Sequence, residues 1–185
     1  MHEENPTTNP EKLNPVVEVV DIDGEDFLKL KQDMYISDRY EKTLRKLSAS
    51  GQATVIAVKI GDRYVGRVTL RHDWSDNSPG SYQSVTIEEE FPGLPQVNAL
   101  EVDENYRRRG LATLLLAAVE NEARQQGFSQ IGLGVEISNE PAKGLYEKSG
   151  YHYQKIGDQD TYEIQFSDPD PQTYRLYLMT KDLKG

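Results

Sequence analysis

An apolar, strand-like run that ends at Val102 gives way within a few residues to Leu111-Ala112-Thr113-Leu114-Leu115-Leu116, the start of a strongly helical stretch. A strand that runs at once into an amphipathic helix must pack that helix back onto a sheet, so the fold has to mix α and β layers. The connection reads Tyr106-Arg107-Arg108-Arg109-Gly110. Glycine there lets backbone approach a ligand closely, the N–H groups that open the helix lack intrahelical partners, and three guanidinium groups crowd the same spot. The chain as a whole carries a formal charge of −10. Against that background, the junction reads as an anion site, and a phosphate in particular.

The rest of the chain alternates between the two periods. Residues 1–14 are polar and proline-punctuated and read as a loose arm ahead of one domain over 15–185. Residues 16–20 predict a strand, 26–50 two helices with Ser37 capping the second, and 53–60 and 64–71 a hairpin turning at Gly61-Asp62-Arg63. A loop over about 73–82 follows. Residues 85–89 read as a strand leading through Phe91-Pro92-Gly93-Leu94-Pro95 into a strand over 97–102. In the helix after Gly110, Leu111, Leu114, Leu115, Ala118, Val119 and Glu122 mark one stripe, apolar until its last member. Gly127 ends that helix. A strand over 131–137, a short helix over 140–149 closed by Gly150, and strands over 151–156 and 174–179 complete the order. The segment 157–173 holds five acidic residues and no Lys or Arg, and reads as a solvated loop or hairpin.

Composition excludes several chemistries. There is no cysteine, which removes disulfides, zinc–thiolate clusters and thiol nucleophiles together. The three histidines, His2, His72 and His152, lie far apart without ligand spacing, so no metal is expected. No run approaches the roughly 20 apolar residues of a membrane span, and the N-terminus lacks the build of a signal peptide, so a cytoplasmic location is the default expectation. The acidic balance argues against nucleic acid as a partner. Gly132-Leu133-Gly134 invites a dinucleotide reading, but Ile137 stands where the third glycine belongs and the pair lies inside a strand.

Residues 97–112, VNALEVDENYRRRGLA, resemble motif A of the GNAT superfamily of acyl-CoA-dependent N-acetyltransferases, whose signature Q/R-x-x-G-x-G/A is met by Arg107, Gly110 and Ala112. Residues 139–151, NEPAKGLYEKSGY, resemble motif B of the same family at the expected separation. The likeness spans roughly 16–182. It implies an α/β (α+β) fold: a mixed, mostly antiparallel sheet of about seven strands, helices on both faces, and two parallel strands that splay apart near Val102 and Ile137. By that resemblance acetyl-CoA is the cosubstrate. The Val102 backbone would hydrogen-bond pantetheine, the amides of Arg108, Arg109, Gly110, Leu111, Ala112 and Thr113 with the Arg107 side chain would hold the pyrophosphate, and Asn139 and Ala142 would lie beside the pantetheine arm. Asn139 can equally be the cap of its helix.

The same resemblance gives Tyr146 the proton donated to the leaving thiolate. A phenol suits that task, since its ordinary pKa near 10 keeps it protonated at pH 7. A packing role for Tyr146 is the alternative. The amine must be deprotonated to attack, and Glu101 inside motif A is the candidate base, with Glu88, Glu89 and Glu90 as substitutes. A glutamate that some relatives carry on the later strand is glycine here, at Gly134.

Between Thr86 and Tyr106 there are six acidic residues and no Lys or Arg. With segment 157–173 they suggest a cationic acceptor, a primary amine of a small molecule or peptide. Trp74, Tyr82 and Phe91 either line its pocket or cover the core. The expected activity is therefore amine N-acetylation by direct attack on the thioester. The alternatives are a non-catalytic acyl-CoA-binding module and an interaction domain built on the arginine turn. Family members are often homodimers.

Overall fold

A computed structural model of the chain describes residues 14–72, 74, 87–166 and 172–183. The elements are β1 (Pro15–Val20), α1 (Glu25–Asp33), α2 (Asp38–Ala49), β2 (Ala53–Ile60), β3 (Arg63–Arg71), β4 (Gln96–Val102), α3 (Leu111–Gln125), β5 (Gln130–Glu136), α4 (Glu140–Lys148), β6 (His152–Gln154), β7 (Tyr162–Phe166) and β8 (Gln172–Asp182). They form an eight-stranded sheet in the order β1-β2-β3-β4-β5-β8-β6, with β7 also paired to β8. Every pairing is antiparallel except β4 with β5.

Alternation along the strands sends side chains to both faces of the sheet. On one face Val55 and Ala57 of β2 meet Phe27, Leu30 and Leu44 of α1 and α2. On the other, Ile56, Val58, Val68 and Leu70 meet Leu111, Leu115, Leu116 and Val119 of α3. Helices thus cover both faces, as the element order predicts. Ser37 caps α2, its Oγ accepting from the Tyr40 N–H at 3.2 Å.

β4 and β5 touch at one registered pair, Gln96 with Gly132, beside a hydrogen bond from the Gly132 N–H to the Pro95 carbonyl at 2.9 Å. Beyond it they part. A bulge on β4 accompanies the parting: β3 steps from Thr69 to Arg67 while β4 steps from Asn98 to Glu101, and Ala99 takes the left-handed φ of 50°. The extra residue turns the strand and breaks the ladder locally.

Three expectations need correction. Ile87 to Glu90 are helical, closed by the Phe91 N–H on the Ile87 carbonyl at 2.8 Å, where a strand over 85–89 was expected. The β-branched Val85-Thr86-Ile87 suggested extension, but three consecutive glutamates favour a helix and only Ile87 is buried. The buried face of α3 runs through Leu111, Leu115, Leu116, Val119, Glu120 and Ala123, so the buried carboxylate is Glu120, paired with Lys181 at 2.7 Å, and Glu122 is not part of it. The last strands are shorter and longer than expected, His152–Gln154 and Gln172–Asp182. In segment 157–173 the hairpin alternative holds: β7 pairs antiparallel with β8. The expected arm over 1–13, most of the loop over 73–82, Val85 and Tyr82 lie outside the described residues.

Candidate active site

The turn between β4 and α3 is built to face a ligand. A single 3-10 turn at Glu104–Tyr106 is held by the Asp103 carboxylate, which accepts from the Asn105 N–H at 2.9 Å and pairs with Arg63 at 2.8 Å. Arg108 then adopts a left-handed φ of 62°, a strain of roughly 1–2 kcal/mol for a residue with a Cβ. Gly110, at φ 80°, takes the same region without that penalty and opens α3 with no side-chain cap. The first helical bond of α3 runs from the Leu114 N–H to the Gly110 carbonyl at 3.0 Å. The N–H groups of Leu111, Ala112 and Thr113 therefore lack intrahelical acceptors.

All three arginines are exposed, and among the described residues none is ion-paired. Arg107 Nε donates to the Val102 carbonyl at 3.1 Å, and Arg109 Nη2 donates to the Asn105 carbonyl at 3.2 Å while its guanidinium lies 5.6 Å from the Tyr106 ring centre. Protein backbone orients these side chains and leaves their charge uncompensated. Strained backbone, unmade N–H bonds and uncompensated cations at one helix start together describe a site for a multiply charged anion.

On the other side of the parted strands lies a cleft of about 890 Å³. Glu101 and Tyr146 both line it; Val102, Arg107 to Thr113, Asn139 and Ala142 do not. Tyr146 belongs to the core on the α3 face yet borders a cleft on the α1–α2 face, which places it at the gap between β4 and β5. Burial pushes its phenol up to about 12. Its ring lies 5.9 Å from that of Tyr151, whose own phenol is driven higher still by burial and by the Glu120 carboxylate. Asn139 caps α4, its Oδ1 accepting from the Ala142 N–H at 3.2 Å. Glu88, Glu89 and Glu90 are exposed and do not line the cleft; Glu88 accepts from the Gly93 N–H at 3.0 Å.

The cleft floor contains residues that sequence reasoning passed over. Arg67, Thr69 and Arg71 lie on the same face of β3 and are 6%, 0% and 6% exposed. Arg67 stacks on the Tyr40 ring at 4.9 Å, and its Nη2 meets Glu101 Oε2 at 3.0 Å. The Tyr40 hydroxyl donates to Asn98 Oδ1 at 2.9 Å, so the ring that supports Arg67 is itself anchored to β4. Nε and Nη1 of Arg67 are buried without a hydrogen-bond partner. Such unmade donors cost about 1–3 kcal/mol each, and arginine cannot shed its proton to escape.

Among the described residues of the lining, Arg39, Lys46, Arg67 and Arg71 face one carboxylate, Glu101. The acidic runs contribute Glu101 to the described lining, and their other described acids do not line it. Asp160 pairs with Lys155 and Glu163 with Arg175, while β7 turns Tyr162 and Ile164 into the cleft. Trp74 also lines it, held by a hydrogen bond from Nε1 to the Leu94 carbonyl at 2.9 Å, whereas Phe91 packs outside. Among the described residues there is no cluster of potential metal ligands and no helix long and apolar enough to cross a membrane.

Comparison with known proteins decides the lineage. The family model for the acetyltransferase (GNAT) family matches residues 17–151. The chain belongs to the GNAT family. Among curated relatives, an N-alpha-acetyltransferase of Saccharolobus solfataricus is 35% identical over 91 residues, covering 44% of this chain and 54% of its own length. GCN5-related N-acetyltransferase 4, chloroplastic, of Arabidopsis thaliana is 31% identical over 91 residues, 49% of this chain and 31% of its own length. The match thus spans about half or less of these relatives. The fold is shared with a GNAT acetyltransferase of Elizabethkingia anophelis solved with acetyl-CoA bound, at a TM-score of 0.58 and 14% identity, over 92% of this chain and 99% of that one.

The residues present fit the cosubstrate that GNAT proteins use. The unpaired amides of α3 beside Arg107 could hold the pyrophosphate, and β4 and β5 are registered at Gln96 and Gly132 alone.

Proposed function

We propose that this GNAT protein transfers the acetyl group of acetyl-CoA to a primary amine of a small molecule or peptide by direct attack. The observation that carries this reading is the shared border of the gap: Tyr146 and Glu101 line one cleft where β4 leaves β5, directly beyond a turn fitted to a pyrophosphate.

Glu101, the carboxylate of the described lining, takes the proton that the amine must lose. The amine nitrogen then bonds to the thioester carbonyl carbon, gives up its second proton to solvent as the carbon–sulfur bond breaks, and negative charge gathers on sulfur. Tyr146 is protonated throughout the working range and donates to that sulfur. With its phenol pushed up to about 12, complete proton transfer to a thiolate of ordinary basicity, near 8.5, runs uphill. The main contribution of Tyr146 is therefore a hydrogen bond that strengthens as charge develops, with the proton finally supplied by solvent. The chain has no cysteine, so no acyl-thioenzyme on a thiol forms.

The test is a screen for free CoA released from acetyl-CoA in the presence of amines and peptides. Release with some amines and none without them is expected. Stabilisation by acetyl-CoA with no release across the panel would instead make the protein a non-catalytic acyl-CoA-binding module.

A further inference from the structure

We infer that the acceptor carries a carboxylate, read by Arg67, so that the substrates are free amino acids or similar short aminocarboxylates. The inference rests on the acetyl-transfer reading above and specifies its acceptor.

Arg67 is the unusual group in the cleft. A central strand rarely buries a guanidinium, because desolvating a fixed charge costs several kcal/mol unless partners replace water. Arg67 is 6% exposed, its carboxylate contact among the described residues is with Glu101, and its Nε and Nη1 are buried without a hydrogen-bond partner. Glu101 itself is about half exposed, so its compensation is shared with solvent. Among the described residues the hydrogen-bonding capacity of Arg67 is incompletely used, and a negative group arriving beside it supplies the missing acceptor.

The geometry also sets where that group lies relative to the reacting nitrogen. Arg67 and Glu101 are registered partners on β3 and β4, with Glu101 on the strand that borders the gap and Arg67 one strand further from it. Adjacent strands lie about 4.8 Å apart. An ammonium beside Glu101 and a carboxylate beside Arg67 would be separated by only a few bonds, which describes a short aminocarboxylate. A carboxylate, with its single charge, suits one guanidinium already sharing a partner better than a doubly charged phosphate does. Tyr40 stacked beneath Arg67 and tied to Asn98 fixes the cation in place, so little ordering is left for the ligand to supply.

The experiment uses the full chain and a panel of the standard free amino acids, β-alanine and γ-aminobutyrate, each beside its primary amide. The amide keeps the amine and removes the charge, and it mimics a peptide N-terminus. For at least one acid kcat/KM should exceed that of its amide by about tenfold or more, the size of a charge-assisted contact. In Arg67→Met that ratio should collapse towards one, and Arg67→Lys should restore part of it. Equal use of acids and amides by the unaltered protein, or a ratio unchanged in Arg67→Met, overturns the inference.

A second readout does not depend on turnover. N-acetyl amino acids and their amides are added to the CoA-loaded protein and melting is followed. Stabilisation by the acid alone, lost in Arg67→Met, supports the carboxylate site even if no amine releases CoA, and then it is the transfer reading that fails. Stabilisation by neither or by both equally, with CoA release intact, overturns the carboxylate site and leaves acetyl transfer standing.

Discussion

The hydroxyl of Tyr162 occupies the place a Cβ on Gly134 would need. β7 folds over the end of β5 and inserts its phenol against bare backbone, so the glycine is required by packing inside the cleft. Gly134→Ala should lower stability by about 1–3 kcal/mol, the usual cost of overpacking, and disturb the cleft where Tyr162 lines it. Tyr162→Phe in the same chain removes the clashing oxygen and should recover most of the loss. Chemical denaturation of the two single variants and the double variant checks this, and a double variant no more stable than Gly134→Ala would contradict the packing account.

Tyr146→Phe keeps the ring and deletes the hydrogen bond to sulfur. Turnover should fall by about 10²-fold, the lower end for a positioned proton donor, with acetyl-CoA affinity changed by no more than a few fold. The pH profile supplies a separate check. A phenol raised to about 12 by burial loses its proton only as pH rises through that value, so the unaltered protein should show no alkaline loss of kcat attributable to Tyr146 below about pH 11.

Arg107→Ala removes a cation whose orientation is set by the Val102 carbonyl. Isothermal titration should show acetyl-CoA affinity reduced by roughly tenfold, with a shallower dependence on salt than in the unaltered protein. An unchanged affinity would place the pyrophosphate elsewhere.

Glu18 gives a stability prediction away from the cleft. Its carboxylate accepts from Lys59 at 2.9 Å and from the Tyr64 hydroxyl, and the Lys59 bond, followed by that of Tyr64, holds it below the usual carboxylate range. A lowered folded-state pKa means stability present above the unfolded value, near 4.3, and lost as pH falls through the folded value. Glu18→Gln should therefore cost up to about 1 kcal/mol at pH 7, discounted for partial exposure, with the gap closing towards pH 3. Melting temperatures of both proteins at the two pH values decide it.

The strand, turn and helix around Gly110 were legible because each leaves a local mark: a β-branched run, a glycine with positive φ, a 3.6-residue apolar period. Tyr146 was legible through its motif alone. Arg67 and Arg71 were not. Arg67-Val68-Thr69-Leu70-Arg71 alternates as any half-solvated strand does, and its polar face meets α2, whose Tyr40 lies against Arg67 and Thr69, from a distant part of the chain. The same holds for Glu120, whose burial depends on Lys181 sixty-one residues away. The cations of the cleft show the same limit: Arg39 and Lys46 of α2 and Arg67 and Arg71 of β3 come together only in space.

The parting of β4 from β5 makes the sheet a partition with a window in it. The arginine turn opens on one side and the Arg67 floor on the other, so under the proposed function the two ligands would approach from opposite faces and meet in the plane of the strands without sharing an entrance. Small inhibitors aimed at the two sides should consequently be mutually tolerant rather than competitive. Joined by a tether that threads the window, they would gain from effective concentration what neither holds alone.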